Sequence, residues 1–131
     1  MIAVDTNILV RLLVKDDERQ TRKVTRFFQR LDADGERAHV SDVVVCELMW
    51  VLRSAYDFDR ADIARTLRSM IAARQLMFDS ADRLLRALSA FQAGRGDLAD
   101  YVIREHARAA GADAVLTFDK ALLKDTMFVA P

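Results

Sequence analysis

The chain has 131 residues, of which 52% are apolar and 31% charged, with 4 glycines and 1 proline. That length suits one compact domain spanning residues 1–131, and the composition excludes a disordered, collagenous or low-complexity segment. Twenty basic residues cancel twenty acidic ones, which excludes the global field of a strongly basic nucleic-acid binder, so any polyanion must be met by a local patch. Cys46 is the single cysteine and cannot form an internal disulfide. With no signal peptide and no apolar run of membrane-spanning length, the expected location is the cytoplasm.

Ile2 to Val4 read as a short strand stopped by Asp5-Thr6-Asn7, whose side chains favour turns and helix caps, and Ile8, Leu9, Leu12 and Leu13 continue as a helix. Val24, Phe27, Phe28 and Leu31 keep helical spacing between Asp16 and Leu31, while Arg19, Arg22, Lys23, Arg26 and Arg30 supply a basic face. After the turn residues Asp32 to Gly35, His39 and Val40 suggest a second strand, and Ser41 or Asp42 caps a helix to about Ala55. Asp59 opens the next helix, Leu76 to Phe78 read as a strand, and Asp79 or Ser80 caps the helix carrying Leu84, Leu85, Leu88 and Phe91. Gly94-Arg95-Gly96 breaks the chain, and Asp97 restarts it as a helix to about Ala110, stopped by Gly111. Ala114 to Leu116 and Met127 to Val129 read as the last strands, with a short helix after Asp119. Strands alternating with helices predict an α/β fold with a parallel sheet and right-handed crossovers.

In such a sheet, ligands collect outside the carboxyl ends of the strands. Asp5 and Asp119 follow strands, Glu47 lies about two turns into the helix after the second strand, and Asp97 and Asp100 open a helix. Taken singly, Asp5, Asp97 and Asp119 are ordinary helix caps, and Asp100 is an ordinary first-turn carboxylate. Glu47 is the one charged residue between Val43 and Leu52. On a helix apolar on nearly every side, it is expected to be buried in a polar site or to pair with an arginine. Five converging carboxylates would repel one another unless a divalent cation joined them. Oxygen donors without a His or Cys cluster suit Mg²⁺ or Mn²⁺ and argue against zinc. A cation of that kind activates water and stabilises a phosphoryl group under attack, which points to phosphodiester chemistry.

Val4-Asp5-Thr6-Asn7, Ser41 with Glu47 to Leu52, Asp97-Leu98-Ala99-Asp100-Tyr101-Val102-Ile103 and Thr117-Phe118-Asp119 resemble, in order and spacing, the PIN-domain nucleases. The resemblance is greatest to the VapC-type toxins of bacterial toxin-antitoxin pairs and covers essentially the full chain. It implies a three-layer α/β/α sandwich around a central parallel sheet, and Mg²⁺-dependent endoribonuclease activity on RNA. It further implies a cognate antitoxin protein, a homodimer and no membrane association. Asp5, Glu47, Asp97, Asp100 and Asp119 match the family's acidic residues, with Asp5 and Asp100 as metal ligands. Thr6, Asn7 and Thr117 are similar to residues that hydrogen-bond the carboxylates or a metal-bound water. Tyr101, Arg104 and Glu105 depart from the family's Asp-Ala-Leu-Ile-Ala-like helix.

The basic face from Arg19 to Arg30 could track an RNA backbone, or be a solvated face paired with Asp16, Asp17 and Glu18. Trp50, Met49, Phe27, Phe28 and Phe91 are assigned to packing, and Cys46 to a small buried apolar position. A phospho-acceptor signalling domain fits poorly, because Asp79 and Lys120 stand in the wrong places for its acceptor and lysine. A non-catalytic PIN-like scaffold or RNA-binding module is the remaining alternative.

Overall fold

The computed structural model describes all of residues 1–131. Chain contacts divide it into two compact units, Met1–Asp79 and Ser80–Pro131. In the first unit, β1 (Ile2–Ala3), β2 (Ala38–Val40) and β3 (Leu76–Phe78) form a parallel sheet in the order β1-β2-β3. Two helices fill each crossover: α1 (Thr6–Leu13) and α2 (Glu18–Ala33), then α3 (Asp42–Ala55) and α4 (Arg60–Ala72). The central strand is deepest, with Ala38 and Val40 fully buried. Leu9, Val45, Leu48, Leu52 and Leu67 are likewise fully buried, and burying side chains of this kind is worth roughly 1.5–3 kcal/mol each.

Local chemistry sets the boundaries. Asp17, Ser41 and Asp59 each accept a backbone N–H two or three residues into the helix that follows, satisfying donors that a helix start leaves orphaned. The α2 helix ends at Gly35, whose φ of +65° lets Glu36 N–H reach back to the Leu31 carbonyl at 2.9 Å.

The second unit opens with α5 (Ala81–Ala93), capped by Ser80 rather than Asp79, and α6 (Leu98–Ala109), which pack on each other through a short connection. Gly111 ends α6 at φ +85°, as expected of the glycine there, and Ala112 N–H bonds the Ala107 carbonyl at 2.9 Å. β4 (Val115–Leu116) and β5 (Phe128–Val129) pair in parallel, joined through a 3₁₀ turn at Lys120–Leu122. Tyr101, 1% exposed, sets its ring edge-on to Phe128 at 6.1 Å. The α/β class and the parallel pairing expected from the sequence are both present. No helix is long and apolar enough to cross a membrane.

Candidate active site

Asp5 stands where β1 ends and α1 begins, is exposed, and accepts the Ile8 N–H at 3.3 Å through Oδ1. Its cap bond engages one carboxylate oxygen, so capping and a ligand role are compatible. Thr6 beside it is buried and Asn7 exposed.

Glu47 differs from the expectation. It is exposed, and α3 is not buried all round, because Val43 and Trp50, at three- and four-residue spacing from Glu47, are 77% and 66% exposed. Trp50 is therefore a surface residue and not part of the packing to which its type had assigned it. The buried acid of this helix is Asp42, 6% exposed at its first turn.

A polar clasp that sequence reasoning missed sits beside Asp42. Asp79 Oδ1 lies 2.7 Å from His39 Nε2, and Asp79 Oδ2 accepts the Asp42 N–H at 2.8 Å. The carboxylate thus ties the end of β3 to β2 and to the positive end of α3. The parallel register that sets His39 opposite Met77 makes the contact possible, and only a correct pairing of β2 with β3 could have revealed it.

The second unit gathers three of the expected acids. At the head of α6, Asp100 Oδ2 accepts the Asp97 N–H at 2.8 Å, the backward arm of a capping box. Asp119 caps the 3₁₀ turn through an Ala121 N–H bond of 2.9 Å, and its own N–H donates to Thr117 Oγ1 at 3.0 Å. Burial first, and the negative charge of Asp119 second, push the Asp100 carboxyl above the usual aspartate range. Asp100 and Asp119 are therefore near enough to repel.

The Gly-Arg-Gly break brings this about by leaving space and not by unusual backbone angles. A Cβ on Gly96 would overlap Leu122 and lie 2.9 Å from Asp100 Oδ2, while one on Gly94 would overlap the Tyr101 hydroxyl. The same hydroxyl accepts the Gly96 N–H at 3.1 Å, which gives Tyr101, one of the departures from the family pattern, a structural task.

Neither unit by itself gathers three or more His, Cys, Asp or Glu side chains into a group able to hold a metal ion. The Asp100–Asp119 pair nonetheless fits a hard divalent cation, since it offers only oxygen donors and its mutual repulsion is what such an ion cancels.

The profile of the PIN domain matches residues 2–126. The chain belongs to the PIN domain family. One PIN domain match thus runs across both compact units, and the resemblance read from the Asp5, Glu47, Asp97–Asp100 and Asp119 segments is confirmed at the level of the family. Among curated proteins, the chain is 23% identical over 124 residues to a VapC ribonuclease of Aquifex aeolicus (strain VF5), covering 95% of this chain and 91% of that protein.

Proposed function

We propose that this PIN domain is a Mg²⁺-dependent endoribonuclease toxin of the VapC kind, neutralised by a cognate antitoxin, acting in the cytoplasm as a homodimer. The observation that carries the reading is the mutually repelling pair Asp100–Asp119, held by two helix starts within a PIN domain. The long match to a ribonuclease supports RNA as the substrate.

Asp5 and Asp100 are the proposed metal ligands, with Mn²⁺ an acceptable substitute for Mg²⁺, and Glu47, Asp97 and Asp119 complete the catalytic acids. When bound, the cation would lower the pKa of water and offset charge on the phosphoryl group under in-line attack. The protein's own contribution is orientation. The Asp97 N–H fixes one oxygen of Asp100, while the Ala121 N–H and the Thr117 hydroxyl fix the side chain and backbone of Asp119. Both carboxylates are then pre-set before substrate arrives, which reduces the reorganisation left to the reaction. Products would carry 5′-phosphate and 3′-hydroxyl ends.

One observation favours the non-catalytic scaffold or RNA-binding alternative: the absence of a three-ligand group in either unit. Incubating a mixed RNA pool with the protein in Mg²⁺ and in EDTA separates the two. Mg²⁺-dependent cleavage that disappears in Asp5→Asn and Asp100→Asn, with far-UV circular dichroism unchanged, is the expected result; wild-type inactivity in Mg²⁺ and Mn²⁺ would establish the scaffold.

A further inference from the structure

Beside the acidic pair, the second unit carries a cavity of about 470 Å³ whose lining includes Arg95, Tyr101, Arg104, Leu122, Lys124 and Asp125. Its volume falls in the range of small-ligand sites, ~300–1,000 Å³. Its charged lining is three cations, Arg95, Arg104 and Lys124, against one carboxylate, Asp125, in a chain whose net charge is zero. This is the local positive patch that overall neutrality requires of any binder of polyanions.

The cations stand in register with the acids. Arg104 follows Asp100 by four residues on α6, so the two share a helix face. Lys124 follows the 3₁₀ turn that Asp119 caps, and Arg95 lies in the loop whose Gly96 backs onto Asp100. Each of the three cations thus lies within five residues of Asp100 or Asp119 along the chain.

Arg104 is held in advance. Its side chain is 15% exposed, Nη1 lies 3.2 Å from Glu105 Oε2, and Nε lies 3.0 Å from Asp125 Oδ2. Its Nε is thus enclosed on the side of Asp125, and only the remainder of the guanidinium is left to face the cavity. A guanidinium fixed in this way by two carboxylates loses little entropy on meeting a phosphate oxygen, while the uncompensated positive charge of the cavity comes from Arg95 and Lys124.

We infer that this cavity is a phosphate subsite, binding a backbone phosphate of single-stranded RNA next to the one cleaved. The identity of the ligand as RNA rests on the nuclease reading above. The occupant is the RNA chain and not a free anion, because the site adjoins the proposed catalytic acids and Arg95 and Lys124 at its rim are exposed, leaving it open to a continuing strand.

The test uses the full-length protein in EDTA with a fluorescein-labelled single-stranded oligoribonucleotide, so that affinity is read by anisotropy without cleavage. Arg95→Ala/Lys124→Ala changes two exposed positions. It is expected to weaken binding about tenfold and to flatten the log–log salt dependence by about 0.7, the value for one phosphate contact on a single strand. Arg104→Gln should weaken binding further, and the exposed pair keeps the test valid if that variant fails to fold. Inorganic phosphate should displace the oligoribonucleotide from the wild type. Phosphate binding that the oligoribonucleotide does not compete for would overturn RNA as the occupant. Equal affinity and salt slope in the wild type and the double variant would overturn the subsite whatever the cleavage assay shows. Variant-sensitive binding without Mg²⁺-dependent cleavage would uphold the subsite and remove the catalytic reading alone.

Discussion

At the scale of single residues, the surroundings of Asp100 oppose its charged form. Burial and Asp119 both disfavour its carboxylate, and an Asn side chain can still accept the Asp97 N–H through its Oδ1. Asp100→Asn is therefore expected to lower cleavage at least about a hundredfold, more than loss of an outer-shell partner costs, while leaving the melting temperature of the metal-free protein unchanged or higher. A clear fall in melting temperature would show that the carboxylate is needed for structure. Cys46 allows a second test. Burial, and then the charge of Asp42, push its thiol up to about 11 from an ordinary 9.0. At pH 8 its thiolate fraction is about a hundredfold below that of a free cysteine, so iodoacetamide should label the native protein about a hundredfold more slowly than the urea-unfolded one. Because the folded value is the raised one, this group's contribution to stability is intact below pH 9.0 and declines as the pH rises through about 11.

The elements reveal what was legible in the sequence and what was not. Helix starts could be read because Asp5, Ser41, Asp59 and Ser80 act on N–H groups no more than three residues away, and such chemistry needs no knowledge of the fold. Glu47 could not be placed, because Val43 and Trp50 mark an apolar face that the molecule leaves exposed, and residue type alone does not tell a covered face from an open one. The cavity cations were hidden for another reason: Arg95, Arg104 and Lys124 come from three segments, and only the four-residue step from Asp100 to Arg104 gave a local sign of them. Glu105 was noticed merely as a departure from the family pattern. Its side chain is 1% exposed and takes Arg86 at 2.8 Å and Arg104 at 3.2 Å. Glu105→Ala takes from a partly buried guanidinium one of its two carboxylate partners, Asp125 remaining, and should cost about 1–3 kcal/mol in urea unfolding, whereas Arg86→Ala, at a largely exposed position, should cost ~1 kcal/mol or less. Gly94→Ala should also destabilise, by about 1–3 kcal/mol, since the new methyl overlaps the Tyr101 hydroxyl.

For the molecule as a whole, the proposed ligands Asp5 and Asp100 lie about a hundred residues apart in a chain whose PIN match runs from residue 2 to residue 126. A cation bound by the native protein and not by the unfolded chain stabilises the former by mass action, about 2.7 kcal/mol at a hundred times its dissociation constant. Thermal unfolding in rising Mg²⁺ should therefore shift upward, and the shift should vanish in both Asp5→Asn and Asp100→Asn. A shift retained in Asp5→Asn would leave that residue outside the metal site.

The clasp at Asp79 has a bearing on the order in which this protein is made. The sheet β1-β2-β3, the His39 contact and the tie to the Asp42 N–H all draw on residues 1–79 alone. Asp79, which both ties require, is the last of these to leave the ribosome. Asp97, Asp100, Asp119 and the cavity cations are translated only afterwards. Every residue of the first unit's sheet and clasp is thus in place in the chain while three of the five acids assigned to catalysis are still to be translated.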